Sequence, residues 1–302
     1  MPNLKDIERR INSVTSTKQI TRTMEMVAAA KIRRANERVY AATPYSESMV
    51  EMLAHVARLV NGSESALLQK HDEVKNVLIV AVVSDRGLAG GFNSNVLRTI
   101  EKIMREKKAE GAQSRVIACG KKAISYFNYR KVELAMEFKD LSADPSFEEA
   151  SSIAAYAMNA YINEEIDEVI VVYNHAKNAA EQVLREEMIL PIDTEVLMQA
   201  GSEAKEESRE DEGKPGAVFD FEPSAGDVLE SLLPAYVRTT LYHALIDSAA
   251  GEQSARRSAM KAATDNANEM VDSLTRLYNR VRQGAITTEI SEIVGGAAAL
   301  EE

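Results

Sequence analysis

Apolar residues near the two ends of the chain recur every three or four positions, the spacing of one face of an α-helix. Near the start they are Leu4, Ile7, Ile11 and Val14, followed after a shift of phase by Ile20, Met24 and Val27. Near the end they are Met270, Leu274, Leu277 and Val281, followed by Ile286, Ile290 and Ile293. Each stripe is as narrow as a coiled-coil seam, and on a single helix it would remain exposed to water. We therefore expect the two ends to pair, although two helices of an ordinary bundle would give the same pattern.

The chain ends also avoid the residues that interrupt helices. No proline lies between Pro2 and Pro44, and none follows Pro234. Proline costs a helix interior ~3 kcal/mol. Its absence predicts long helices within residues 1–62 and 225–302, and the second could extend ~90 Å at a rise of about 1.5 Å per residue. A rod of this kind indicates a mechanical or scaffolding role.

Between the terminal helices, short apolar runs alternate with amphipathic segments. The predicted strands are Val77–Val83, Arg115–Cys119, Asp167–Tyr173 and Gln182–Leu190, and the predicted helices are Val96–Lys108, Lys121–Tyr129 and 147–163. This alternation is typical of an α/β domain with a mostly parallel sheet, which we place at residues 70–196. Since the domain interrupts one helical element, the terminal helices must run antiparallel if they pair. The predicted fold is an antiparallel coiled coil with an inserted Rossmann-like α/β domain.

The net charge of −11 is unevenly distributed. Residues 1–40 hold nine cations against four acids, or +5, whereas residues 203–230 hold ten acids against three cations, or −7. Glycine and proline among those acids predict an exposed acidic linker over residues 197–224. A basic helix can bind nucleic acid, but no nucleic-acid motif accompanies it. A basic rod inside an acidic protein sleeve explains the charge equally well.

The sequence gives little sign of catalytic chemistry. The glycine-rich turn Ser84–Asn93 follows a strand, where α/β proteins bind phosphates, but it matches neither G-x-G-x-x-G nor the P-loop. The histidines and Cys119 show no ligand spacing, so we expect no metal and no cofactor. A single cysteine in an apolar run is expected to be a buried thiol, which fits a reducing cytoplasm. We also expect no transmembrane helix and no signal peptide.

Four stretches resemble a known family. They are Gln19–Lys31, Ser84–Asn93, Met260–Ala267 and Arg282–Ala298. The last contains the specific pattern I-T-x-E-x-x-E-x-x-x-G-A. In their order and spacing, over the whole chain, they resemble the gamma subunit of F-type ATP synthase. Ala89 stands where the family usually has cysteine, and Gly284 where it usually has alanine. A chloroplast-type cysteine insertion and an arginine-rich transit peptide are both missing, which favours a bacterial member.

The resemblance implies a non-catalytic rotor in the central stalk. The coiled coil would stand inside a ring of three alpha and three beta subunits that carries the catalytic sites. Rotation of the membrane c-ring would turn the shaft, coupling ion flow to ATP synthesis and regulating ATPase activity. One copy per complex would lie at the cytoplasmic face of the bacterial membrane. By motif matching, the ring contacts would be Arg256, Gln283, Thr287, Met26 and Lys31, and the foot facing the epsilon subunit and c-ring would include Phe221, Glu222 and Pro223.

Two other classes of function remain open from the residues alone. An α/β enzyme could use the helical arms for oligomerisation, and it would bind a nucleotide or turn over a substrate in isolation. A coiled-coil tether could act without a rotary role, and it would not purify with six larger ATPase subunits.

Overall fold

A computed structural model describes residues 3–60, 65–178, 181–194, 221–222 and 224–301. The chain forms two compact units, one of Met1–Ala29 with Arg256–Glu302 and the other of Ala30–Ala255. Two long helices, α1 (Leu4–Leu59) and α5 (Ala225–Glu301), each contribute residues to both units.

In the first unit, α1 and α5 pair as an antiparallel coiled coil. The least exposed positions of α1 follow one heptad without interruption: Leu4, Ile7, Ile11, Val14, Lys18, Thr21, Glu25 and Ala28. Those of α5 do the same: Met260, Thr264, Ala267, Val271, Leu274, Tyr278, Val281 and Ala285. Steps alternating between three and four residues are the signature of a left-handed coiled-coil seam.

The phase shift predicted in each helix is wrong. Ile20 and Val27 are 60% and 51% exposed, and Thr21 and Ala28 are buried in their place. Met270 and Leu277 in α5 are likewise exposed. Apolar periodicity alone predicts the wrong seam residues because the seam continues through small and polar residues, while neighbouring apolar side chains lie on the outer surface.

A pair of hydroxyls lies inside the coiled coil. Thr264 donates a hydrogen bond to Thr21 (Oγ1–Oγ1, 2.8 Å), and Thr21 can donate to the Lys18 carbonyl at 3.1 Å. Both threonines are buried. The Thr264 hydroxyl also reaches the Met260 carbonyl of its own helix at 2.9 Å, so the contact between the two threonines adds to the pairing in this register without being the only way to satisfy either hydroxyl.

The second unit contains a five-stranded sheet covered on both faces. The strands are β1 (Asn76–Val82), β2 (Gln113–Cys119), β3 (Leu134–Phe138), β4 (Glu168–Ala176) and β5 (Gln182–Leu190). Their order is β3-β2-β1-β4-β5, with β5 alone antiparallel to its neighbour. The intervening helices are α2 (Phe92–Ala109), α3 (Lys121–Tyr129) and α4 (Phe147–Ile162). Strand β3 was not predicted, because four of its five residues are only partly buried, Glu137 is exposed, and the strand has no long apolar run.

Alternate residues of each central strand belong to two different cores. Leu78, Val80 and Val82 of β1 face a core shared with α4 and with α1 and α5 residues of the second unit. Val77, Ile79 and Ala81 face the other core, shared with α2 and α3. Because β1 is buried on both faces, its sequence is an uninterrupted run of apolar residues.

We expect a Thr21→Cys/Thr264→Cys variant to form an intrachain disulfide under mild oxidation, because the two hydroxyls already touch. Non-reducing gel mobility and peptide mass spectrometry would measure the bond. Native Cys119 is fully buried, and burial raises its pKa, so it should stay reduced. In the matched control, Thr21→Cys/Thr275→Cys, the second cysteine is exposed and off the seam. Equal crosslinking of both variants, or only chain-to-chain products, would contradict the register.

Candidate functional site

The glycine-rich turn lies between β1 and α2 at the carboxyl edge of the sheet, where doubly wound α/β proteins bind ligands. The buried Ser84 fixes it from inside. Its N–H donates to Asn93 Oδ1 at 2.9 Å, and its hydroxyl lies 2.5 Å from the Arg86 carbonyl. The turn is therefore closed by its own side chains.

The carboxylate of Asp85 occupies the start of α3. Its Oδ1 accepts from the N–H of Lys121 at 2.9 Å and of Asp140 at 3.0 Å, and its Oδ2 accepts from the N–H of Ser142 at 3.0 Å. A helix amino terminus is the usual place for a bound phosphate. Here the protein supplies the anion itself and ties three loops together.

The approach of α3 to the end of β1 requires glycine at position 120. Its φ is +104°, a value that favours glycine, and a Cβ there would lie 2.3 Å from the Val83 carbonyl oxygen. This close packing brings the first N–H groups of α3 within reach of Asp85.

Asp85 has a lowered pKa. Burial by itself raises the pKa, but hydrogen bonds from the backbone of Lys121, from Ser142 and from the backbone of Asp140 together outweigh it. These donors favour the charged form, since a protonated carboxyl accepts them poorly.

Helix α5 fills the crevice beside β1 and β4, at the point where the strand order reverses. Gly251 packs so closely there that a Cβ would lie 3.1 Å from the Asn174 carbonyl oxygen and 3.5 Å from the Phe92 ring. The Asn174 amide donates to the Phe92 carbonyl at 2.9 Å. Ala89, Phe92 and Ala255 form a small apolar cluster at the same edge.

Polar contacts hold the same stretch of α5 to the end of β4. Asp247 is almost completely buried, and its Oδ2 lies 2.5 Å from His175 Nδ1. Its other oxygen accepts from the N–H of Ala176 at 3.1 Å. Two places where an α/β enzyme would bind a nucleotide, the crevice and the start of α3, are thus occupied by the protein's own groups.

The described part of the chain offers neither a metal site nor a membrane-spanning helix. Among those residues, no three histidine, cysteine or acidic side chains are grouped so that they could hold a metal ion. No helix traced there combines the length and apolar character needed to cross a membrane.

The ring contacts expected from sequence lie mostly on exposed helix surface. Met26 is 59% exposed, and Gln283 and Thr287 are exposed as well. Arg256 is half-buried, and Lys31 is an exposed residue of the second unit. Gln283 and Thr287 occupy adjacent turns of α5, with the Thr287 hydroxyl donating to the Gln283 carbonyl at 2.9 Å.

Beyond its last seam residue, Ala285, helix α5 carries apolar side chains that nothing covers among the residues described. Ile286, Ile290, Ile293 and Val294 are all exposed. The sequence predicted a helix here but placed three of these side chains on a seam. Exposed apolar side chains on a helix end point to contact with another protein.

The expected foot is described only in part. Phe221 packs against the core shared by α4 and α5, and Glu222 is exposed. Pro223 and nearly all of the acidic linker 197–224 lie outside the described residues.

Comparison with known proteins identifies the family. The family model described as ATP synthase matches residues 3–300. The ATP synthase gamma chain of Leptospira biflexa is 42% identical over 300 residues, covering 99% of this chain and 100% of that one. That of Chlorobaculum tepidum is 40% identical over 306 residues, covering 100% of both. The chain belongs to the ATP synthase gamma chain family.

Solved structures agree with this fold. The rotor of Euglena gracilis mitochondrial ATP synthase matches with a TM-score of 0.61 and 18% identity, covering 94% of this chain and 98% of that one. The central stalk and c-ring structure from Tetrahymena thermophila matches with a TM-score of 0.56 and 23% identity, covering 81% and 99%. At these identities the likeness concerns the fold alone.

We expect Asp85→Asn to destabilise the chain by about 1–3 kcal/mol at pH 7, because three backbone N–H groups lose a charged acceptor. The folded pKa lies below the unfolded value of about 3.9. The carboxylate therefore stabilises the fold above that value, and the contribution is lost as pH falls through the folded pKa. Urea unfolding from pH 7 to 3 should show a shallower acid limb for the variant.

The matched control is Asp144→Asn, which removes an exposed carboxylate paired with Arg38 Nη2 at 2.8 Å. Surface pairs of this kind contribute at most about 1 kcal/mol. If both variants lose the same stability with the same pH dependence, Asp85 does not hold the turn as described.

A pair of glycine substitutions in α5 tests the filled crevice. Gly251→Val should lower the free energy of unfolding by about 1–3 kcal/mol, since the added methyls overlap Asn174 and Phe92. Gly284→Ala should raise helix stability by up to about 1 kcal/mol, because a Cβ there meets no atom within 4 Å. Thermal unfolding and hydrogen exchange of the two variants would measure this. A Gly251→Val chain as stable as the original would mean that α5 is not tightly packed in the crevice.

Proposed function

We propose that this gamma chain is the central-stalk rotor of a bacterial F-type ATP synthase, transmitting rotation between a membrane c-ring and a ring of catalytic alpha and beta subunits. The observation that carries the proposal is the exposed apolar end of α5, beyond the seam. A helix end with Ile286, Ile290 and Ile293 in water is unfavourable, since burying each such side chain is worth roughly 1.5–3 kcal/mol. A protein sleeve around the helix would bury them.

The coiled coil is suited to torque because its helices are long and free of proline. The two prolines inside α1 and α5, Pro44 and Pro234, belong to the second unit, and residues 256–302 contain none. A proline in the coil would remove a backbone hydrogen bond and kink the helix. Interlocked seam residues then resist twisting of one helix about the other.

A single shaft acts on three equivalent catalytic subunits through its asymmetry. At any angle, each subunit meets a different face of the coil, and the contact favours a different conformation. Moving one two-state site from 1:99 to 99:1 takes about 5.5 kcal/mol of differential contact energy. A few desolvated polar contacts, each worth about 2 kcal/mol or more, together with the burial of apolar side chains, supply a differential contact energy of that size.

The proposed ring contacts are Arg256, Gln283, Thr287, Met26 and Lys31. Their support is the motif match and the exposure of all but Arg256, which is half-buried. Gln283 and Thr287 present an amide and a hydroxyl on successive turns of α5, and Arg256 adds a positive charge. Since no acid–base constellation accompanies them, their role is binding, and catalysis would belong to the ring subunits.

The second unit would form the foot of the rotor. Phe221, Glu222 and Pro223 are proposed to face the epsilon subunit and the c-ring, just before α5 begins at Ala225. One copy per complex would sit at the cytoplasmic face of the membrane, held there through the c-ring. No cofactor is assigned to this chain.

We expect Gln283→Ala and Arg256→Ala to leave the isolated subunit folded but to impair coupled ATP synthesis in the assembled complex. Gln283 is exposed, and exposed polar substitutions usually change stability by at most ~0.5 kcal/mol, whereas Arg256→Ala also removes a half-buried side chain with contacts inside the chain. In the complex, a desolvated interface contact can cost about 2 kcal/mol or more. The measurements are the melting temperature of the subunit and the ratio of synthesis to hydrolysis in reconstituted vesicles.

Asn279→Ala is the matched control, an exposed amide one turn before Gln283. It should leave the ratio unchanged. A normal ratio for Gln283→Ala in a fully assembled complex would remove this residue from the proposed contacts. Failure of the unaltered chain to assemble with alpha and beta subunits would overturn the rotor function itself.

A further inference from the structure

The helical layer formed by α2 and α3 is basic in an otherwise acidic protein. Residues 92–131 contain ten lysines and arginines against three glutamates, or +7, whereas the whole chain carries −11. This charge is separate from that of the N-terminal helix. It lies on the face of the sheet opposite to α4 and α5, so a partner attracted to it would bind on that side.

A groove runs between α2 and α3 on this layer. Its floor is formed by Leu97 and the ring of Tyr126, and Tyr129, 84% exposed, stands at one end. Arg98 and Lys122 lie on opposite sides, one from each helix. The groove has a volume of about 530 Å³, enough for several side chains of a bound segment.

The two cations beside the groove have no counter-ion among the residues that the structure describes. Some cations of the layer are paired, Lys107 with Glu168, Lys121 with Asp140 and Arg130 with Glu101, whereas Arg98 and Lys122 are the cations that line the groove. Arg130 also lies 5.5 Å from the centre of the Tyr126 ring, which helps to hold that ring in place. Arg98 and Lys122 are exposed and remain available to carboxylates of another molecule.

We propose that the α2–α3 groove is a docking site for an acidic, amphipathic segment of another subunit of the synthase. Carboxylates of that segment pair with Arg98 and Lys122, and an apolar or aromatic side chain lies on Leu97 and Tyr126. Charge complementarity selects the partner, while the apolar floor supplies binding energy. A concave surface with its cations on the sides fits a protein segment better than a flat membrane. The proposal rests on the rotor function only in that the partner belongs to the assembled complex.

The test is site-specific photocrosslinking in the purified, assembled synthase. Tyr129 is replaced by p-benzoylphenylalanine, the complex is irradiated, and the adducts are mapped by mass spectrometry. We expect an adduct with an Asp- and Glu-rich peptide of a partner subunit, with a yield that falls as salt is raised, because exposed charge pairs are screened. The same photoreactive residue at Phe147, half-exposed on the opposite face, is the positional control.

Charge reversal then tests the role of the cations. Arg98→Glu/Lys122→Glu should lower the Tyr129 adduct yield about tenfold, whereas Lys139→Glu/Lys177→Glu, which reverses two exposed cations elsewhere, should leave it unchanged. An equal effect of both double variants, an adduct only with lipid, or no adduct in a complex that contains all its subunits would each overturn the docking site. Failure of the rotor function would show itself differently, since the unaltered gamma chain would then not assemble at all.

Discussion

The burial of α5 in the crevice of the sheet is the interaction on which the second unit depends. Residues 244–255 of this helix are buried on every side, which is unusual for a helix carrying Asp247, Ser248, Glu252 and Gln253. Such a stretch is stable only if its polar groups find partners and its backbone can approach the sheet. His175 and the N–H of Ala176 satisfy Asp247, and Gly251 permits the approach. The helix takes the position of a ligand, so the domain serves as an anchor for α5.

The same logic explains the glycine-rich turn. In an α/β enzyme, such a turn leaves N–H groups unpaired for a phosphate, and the site gains its order when the ligand binds. Here Asp85 satisfies N–H groups of α3 and of the loop after β3 permanently. A rotor domain that bears load benefits from contacts that do not depend on a bound ligand. The cost is that the site is closed to nucleotides.

Much of the architecture follows from the sequence, because strong physical signals carry it. The central strands are uninterrupted apolar runs, and the outer parts of the terminal helices, residues 3–43 and 235–302, contain no proline, so the α/β insertion between paired helices could be predicted. Strand β3 could not, since a short edge strand with a half-exposed face has no distinctive composition. The seam positions were predicted wrongly because apolar residues next to the seam lie on the surface. Ile20 and Val27 are apolar but lie outside, and the buried heptad passes instead through polar or small residues such as Thr21 and Ala28.

The functional surfaces were harder to derive than the fold, and the reason is physical. A catalytic site concentrates unusual residue types at fixed spacings, but a shaft acts through ordinary exposed side chains whose meaning depends on what surrounds them. Gln283 and Thr287 have no feature in isolation that separates them from Asn279 or Ser291 on neighbouring turns. The sequence could identify them only through the resemblance to a family. Two surfaces do depart from the ordinary, the apolar end of α5 and the groove between α2 and α3. Isoleucines exposed at the end of α5 are unfavourable in water, whereas the groove cations are hydrated and attract only a partner of opposite charge. These two surfaces therefore indicate where the rotor meets other subunits.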